Sequence, residues 1–347
     1  VRGIGARHCG ARPRQDVATV NSEPTLSRRA WLVGLLAAAP ARPLPAASSW
    51  PARAIRLVVA YPPGGVSDDI ARALAQQVSA GLRVPVVVEH RSGAGGTLAM
   101  EALAKTPADG HTLVLSAITP LTLSPHLGRV GYRPLHDIAP VVSVMATPAL
   151  VVGTPAFAGT SLADALVQAQ RAPGALRWAS SGVGTTGHLM MARIAATSGV
   201  DITHVPYKGG GTQLNDALGG HFELLSTNVG ALQLRYVREG RFKPLAVGAP
   251  ERLPVLPEVP TLGELGFGSA NRMSVFGVFA PAGTAADVLE RLNAAFNEAL
   301  QSHDVQARLR SVNNLPTGGT REAFARVIEE EFRANQALPR QAEDQRP

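Results

Sequence analysis

The feature that most constrains this chain is an alternation of short apolar runs with stretches of helical periodicity, met twice along its length. Residues 55–60 form a compact apolar run closed by Tyr61-Pro62-Pro63-Gly64-Gly65. Residues 67–80 follow with Ile70, Ala73, Leu74 and Val78 at helical spacing, and Ser67 or Asp68 is the expected cap. Residues 84–88 then read as strand, 98–105 as helix and 112–116 as strand, which completes a βαβαβ unit. The second unit has strands at 176–180, 202–205, 222–225 and 243–247, with helices at 186–198 and 213–218. Strands written as nearly unbroken apolar runs suit sheets covered on both faces, so each unit is expected to be a mainly parallel sheet flanked by helices.

Two such units imply two lobes. Residues 141–153, interrupted at Thr147-Pro148, are the expected first crossing; residues 274–280 are the return, followed by helices at 285–301 and 321–332. Residues 49–149 with 274–347 would then form one lobe and 150–273 the other, joined by a two-strand hinge about which they can rotate.

Charge narrows the function. A net charge of +7 over 347 residues would fit a nucleic-acid partner if it were concentrated on a folded face. It is concentrated elsewhere: residues 1–47 carry seven arginines against Asp16 and Glu23, a net +5 that leaves +2 for the remainder. With aromatic residues at only 5%, the body offers neither a phosphate-tracking stripe nor stacking platforms, and no nucleic-acid partner is expected. The basic segment leads into Ser27-Arg28-Arg29-Ala30-Trp31-Leu32, an apolar run at 30–39 and a stretch of small residues and proline at 43–49. Those three regions in that order are the pattern of a secretory signal peptide, here of twin-arginine type with an upstream extension. Residues 1–48 are therefore expected to be removed, leaving a periplasmic protein. The apolar run is too short to span a bilayer, which needs about 20 residues. Cys9, the single cysteine, lies upstream of that run and excludes a disulfide or a catalytic thiol in the mature chain.

Three glycine-rich loops follow strands and open helices: Pro62-Pro63-Gly64-Gly65-Val66-Ser67, Ser92-Gly93-Ala94-Gly95-Gly96-Thr97, and Ser180-Ser181-Gly182-Val183-Gly184-Thr185-Thr186-Gly187. In open α/β sheets ligands bind beyond the carboxyl ends of strands. Glycine admits close backbone approach, and the free N–H groups of a helix start favour an anion by about 0.3 to 1 kcal/mol when exposed and up to about 2 when partly buried. Two such ends facing one another can hold a carboxylate without a basic side chain. The bland alternative is that these glycines only make tight turns.

Other chemistry is sparse. Gly182-Val183-Gly184-Thr185-Thr186-Gly187 matches the dinucleotide fingerprint, with Asp201 downstream, but the ribose-binding acid belongs at the end of the next strand and Asp201 precedes it. An NAD(P) enzyme is thus a remote alternative, and no cofactor is expected. The chain has no P-loop, zinc-protease or nucleophile-elbow motif. His188, His204 and His221 are too scattered for a metal site and are expected at the surface or at caps, while adjacent Asp68 and Asp69 would point apart on a helix.

The ordered motifs resemble the Bug family, the substrate-binding receptors of tripartite tricarboxylate transporters. They are Tyr61-Pro62-Pro63-Gly64-Gly65-Val66-Ser67-Asp68 with Ala71-Arg72, Gly93-Ala94-Gly95-Gly96, Ser180-Ser181-Gly182-Val183-Gly184-Thr185 with His188-Leu189, Val205-Pro206-Tyr207-Lys208-Gly209, and Phe279-Ala280-Pro281-Ala282-Gly283-Thr284. The resemblance implies a two-lobed periplasmic binding-protein fold and a non-enzymatic receptor for a small carboxylate. It places ligand contacts on Gly64, Gly65, Val66, Ser67 and Asp68 from the first lobe and Ser181, Gly182, Gly184, Thr185 and His188 from the second. Tyr61 and Thr119 would wall the cleft, and Tyr207 and Lys208 would organise its far side. Where the family often carries Asp-Asn after a strand, this chain has Thr227-Asn228. Asn228 joins the expected contacts, and the missing acid argues against an amino-bearing ligand. The implied partners are membrane permease subunits, or alternatively a two-component sensor kinase, with the receptor itself a monomer.

Overall fold

The computed structural model describes residues 50–336; the expected targeting segment lies outside them. Lobe 1 begins with β1 (Ile55–Val59), α1 (Val66–Leu82), β2 (Val86–His90), α2 (Thr97–Ala104) and β3 (Thr112–Ala117). Two single-turn helices, α3 (Thr119–Thr122) and α4 (Ser124–Leu127), lead to the 16-residue β4 (Ile138–Gly153). Lobe 2 contains α5 (Leu162–Arg171), β5 (Arg177–Ser180), α6 (Thr186–Ser198), β6 (Thr203–Pro206), α7 (Gly210–Leu218), β7 (Leu224–Asn228), α8 (Ala231–Arg238) and β8 (Lys243–Gly248). The chain returns through β9 (Met273–Pro281) to α9 (Ala286–Gln301), α10 (His303–Ser311), β10 (Leu315–Pro316) and α11 (Arg321–Gln336).

The strands run in the order β2-β1-β3-β9-β4-β7-β5-β6. Neighbours β2-β1-β3 and β7-β5-β6 are parallel, while β9 and β4 run antiparallel to their neighbours. β4 serves both sheets. Residues up to Pro148 pair with β9, and Ala149 to Gly153 pair with β7 on one side and β8 on the other. Thr147-Pro148, read from sequence as a break, falls where the continuous strand passes from one sheet to the next. Pro148 has no N–H to donate there, and its carbonyl accepts from the Val229 N–H at 2.9 Å.

Each lobe has its own core. In lobe 1, Leu57, Val59, Leu113, Leu115, Val142 and Phe279 are buried between helices on the two faces of the sheet. In lobe 2, Trp178, Val151 and Leu224 face one layer, and Leu150, Ala179 and Leu225 the other. Alternate residues of one strand thus enter opposite cores, the period-two rule applied to a sheet buried on both sides.

The start of α1 departs from expectation. Its N-cap is Gly65, with no side-chain cap, and Asp68 instead reaches back to accept the Gly64 N–H at 3.0 Å. Neither Ser67 nor Asp68 is the cap, because the helix begins at Val66 and both residues already lie in its first turn.

Candidate functional site

A cavity opens between the lobes at the carboxyl ends of the parallel strands. Lobe 1 contributes Tyr61, Gly65, Val66, Ser67 and Thr119; lobe 2 contributes Ser181, Thr185, Thr186, Gly187 and Asn228. Phe276 and Ser274 of β9 form part of the floor. Not one of the described lining residues is Asp, Glu, Lys, Arg or His. The polar surface consists of hydroxyls, two carboxamides and backbone.

Two helix starts meet here. The first-turn amides of α1 at Val66 and Ser67, and of α6 at Thr186 and Gly187, have no intrahelical acceptor, and all four residues line the cavity. Each end carries roughly half a positive charge from its aligned peptides. The α6 end is held by Thr185, whose Oγ1 donates to the Gly182 carbonyl at 2.8 Å and accepts from the His188 N–H at 3.4 Å. Gly187 leaves room that no side chain could share: a Cβ there would stand 2.6 Å from Ser226 Oγ.

The far half of the cavity is a relay of neutral groups. Ser274 Oγ donates to Asn228 Oδ1 at 2.8 Å, and Gln233 Nε2 donates to Thr227 Oγ1 at 3.2 Å. Those bonds leave the Asn228 amide hydrogens and the Gln233 carbonyl as the groups still able to address a ligand. On the near side, Thr119 Oγ1 is buried without a partner among the described residues. Tyr61 is buried against Phe276 at 5.8 Å and accepts the Ala117 N–H at 3.3 Å, which fixes the wall between the first loop and β3. Burial pushes its phenol pKa up.

Several expected contacts stand behind this lining. The Asp68 side chain is only 9% exposed, and its carboxylate meets His90 Nε2 at 2.8 Å and Arg72 Nε at 2.9 Å. Burial alone would raise its pKa; the Gly64 N–H, His90 and Arg72 together hold it below the usual carboxylate range. Asp68 therefore shapes the loop around Gly64 without lining the cavity. Gly182 and Gly184 build the turn before α6. Tyr207 donates to Asp216 Oδ2 at 2.6 Å, and Lys208 is exposed. Neither lines the cavity.

The histidines are a correction. His188 and His204 are not scattered: their rings stack with centroids 4.4 Å apart, and His204 Nε2 lies 2.7 Å from Ser180 Oγ. Parallel pairing of β5 with β6 brings position 204 beside the start of α6, a neighbourhood that sequence spacing does not display. Burial lowers both pKa values, that of His204 to about 4, with the neighbouring His188 adding to the effect. No group of three metal-ligating side chains occurs among the described residues.

The second glycine loop does not line the cavity either. A Cβ on Gly95 would meet the Val183 carbonyl at 2.6 Å, so this left-handed glycine is where the two lobes touch. A second touching point lies at Gly209 against Pro62. The dinucleotide reading fails on geometry. Arg177 pairs with Thr203 at the start of β5 and β6, so Asp201 sits at the end of the sheet opposite the loop that begins after Ser180.

Comparison with known proteins agrees with this architecture. The model of the family described as "Tripartite tricarboxylate transporter family receptor" matches residues 70–342. Protein BugT of Bordetella pertussis is 37% identical over 261 residues, 75% of this chain and 80% of that protein. Among solved structures, Rpa4515 of R. palustris with adipate superposes with a TM-score of 0.77 at 33% identity, covering 82% of this chain and 95% of the other. MatC (Rpa3494) of Rhodopseudomonas palustris, with bound malate, gives a TM-score of 0.78 at 29% identity, covering 83% and 99%.

Proposed function

This chain belongs to the tripartite tricarboxylate transporter receptor family, and we propose that it captures a small organic acid between its lobes and delivers it to the membrane subunits of such a transporter. The observation that carries the reading is the convergence of the α1 and α6 starts on a cavity without charged side chains. An anion there would be held by aligned peptide dipoles and hydroxyls, and a carboxylate matches that donor set. Thr227 in place of an acid leaves nothing to pair with an ammonium, which favours an acid without an amino group.

In this reading Gly65, Val66, Ser67, Thr185, Thr186 and Gly187 grip one carboxylate, directly or through water. Asn228, Gln233, Ser274 and Thr119 read the rest of the molecule, while Gly64, Asp68, Gly182, Gly184 and His188 hold the gripping loops in shape. The receptor is not an enzyme, acts in the periplasm after export, and works as a monomer whose lobes, 49–149 with 274–347 and 150–273, hinge on β4 and β9. Isothermal titration with adipate, malate, citrate, benzoate and glutamate tests it. Micromolar binding of at least one acid lacking an amino group is expected. Silence from every acid, or binding of glutamate alone, would refute the proposed ligand class.

A further inference from the structure

β9 has two faces. Ser274 and Phe276 look into the cleft, and the residues between and before them, Val275 and Met273, look the other way into a second cavity of about 470 Å³. Both lobes wall this groove: α3 and α11 from lobe 1, α6 and the turn around Gly268 from lobe 2. Its size falls within the range of ordinary ligand pockets, roughly 300 to 1,000 Å³. Its chemistry is unlike that of the cleft. Ile118, Leu123, Leu189, Met273 and Val275 make an apolar trough, open to solvent beside Val327.

One strong anion-binding group stands in the trough. Arg272 reaches Glu331 through Nη1 alone, at 3.0 and 3.2 Å to the two carboxylate oxygens. Its Nε and Nη2 donors have no acceptor among the described residues. Arg193, one turn beyond Leu189 on α6, stands near enough to feel the charges of Arg272 and Glu331, and its own guanidinium is engaged by the Ser269 carbonyl. Arg272 is therefore the guanidinium that lines the groove, and half of its donor set is left open beside an apolar surface. Asn335, also on the groove wall, is 1% exposed; it donates to the Thr122 carbonyl, and its Oδ1 has no partner among the described residues.

We propose that this groove behind the hinge, which meets the cleft only at the shared Thr119 and Thr186, is a second ligand site for an amphiphilic anion: an apolar body of one or two rings lying on Leu189, Met273 and Val275, with one carboxylate or sulfonate on the free Nε and Nη2 of Arg272. The fork geometry suits a planar or trigonal oxyanion bidentately. The apolar trough excludes small hydrophilic acids, which gain nothing from leaving water there.

Isothermal titration of the full chain with naphthalene-1-sulfonate tests the assignment. One site is expected, weakened at least tenfold in Val327→Trp, where an indole from the exposed wall occupies the trough. Arg272→Gln should weaken it about fivefold with the stoichiometry unchanged, and the neutral naphthalene-1-methanol should bind wild type at least fivefold more weakly than the sulfonate. Val66→Phe, which fills the cleft on the other face of β9, should leave sulfonate binding within twofold. Equal binding by Val327→Trp and wild type, equal binding of the neutral analogue, or loss of binding in Val66→Phe would each overturn the proposal. Val327 lies on the surface, so its variant folds even if the Arg272 variant does not.

Discussion

The cleft and the groove behind it share strands β4 and β9 yet are built from opposite materials. The cleft is lined by hydroxyls, carboxamides and helix starts, with no charged side chain among its described residues. The groove is lined mainly by aliphatic side chains around an Arg–Glu pair, with Asn271 and Asn335 at its wall and Thr119 and Thr186 shared with the cleft. Alternation along a strand is enough to separate them, since Met273 and Val275 point one way and Ser274 and Phe276 the other. The comparison teaches that positive potential can be supplied in two ways. Peptide dipoles supply it without a counter-ion, whereas a guanidinium in a groove requires one, and Glu331 is there.

That contrast can be broken most directly at Gly65. No heavy atom lies within 4 Å of where its Cβ would be, so Gly65→Asp adds charge without a clash. A like charge about 5 Å from a bound carboxylate costs about 2 to 3 kcal/mol at an effective dielectric near 20 to 30, or roughly 30- to 150-fold in acid affinity. Titration should show that loss in the cleft, with naphthalenesulfonate binding unchanged; undiminished acid affinity would remove α1 from the anion site.

The histidine pair provides the next largest effect. Burial lowers His204 to about 4, so the unfolded chain binds its proton first as pH falls from about 6.5. Stability should be fully present above that value and decline toward pH 4 by about 1 to 2 kcal/mol, discounted because the ring is partly exposed. Urea unfolding at pH 7.0 and 4.5 measures it, and His204→Gln should flatten that part of the slope. A slope identical in the variant would assign the acid sensitivity to other groups.

Asp68→Asn removes the charge beside Arg72 and the carboxylate that His90 meets, while keeping the shape. A cost of about 1 to 2 kcal/mol in urea unfolding is expected, with acid affinity falling about threefold as the Gly64 turn loosens. Loss of acid binding altogether would mean that Asp68 touches the ligand. The smallest effect sharpens the comparison best. Raising salt from 50 to 500 mM should change acid affinity less than twofold, because the cleft offers peptide dipoles and no charged side chain, and should weaken the partly exposed Arg272 site about threefold. Equal salt dependence would erase the distinction between the two sites.

Much of this architecture was legible because buried parallel strands are written as mostly apolar runs, as residues 55–60, interrupted only by Arg56, and Leu113 to Leu115 are. The glycine loops at the cleft were legible for a related reason: glycines between a strand and a helix advertise backbone at the strand's carboxyl end. What escaped was whatever only pairing creates. β10 is two residues that become a strand by lying against Met145 and Ala146. Helix α5 was passed over although Ser161 and Asp164 form a capping box, a signal that was present. Ser226, Gln233 and Ser274 carry no local mark of a site, since the fold alone turns them inward. Ser274 and Phe276 could have been found by alternation once 274–280 was read as a strand. His188 and His204 could not, because their stacking depends on which strands are neighbours.

The position of β9 also orders assembly. It is made after every strand except β10, yet it belongs in the middle of lobe 1's sheet, with β3 on one side and β4 on the other. Until residue 281 has emerged, lobe 1 has two unpaired edges facing a gap, while the strands of lobe 2 lie on one uninterrupted stretch and can pair at once. The lobe synthesised second is therefore the one able to finish first, and the lobe begun first waits, with its edges open to wrong partners, for a strand encoded about 150 residues after β3.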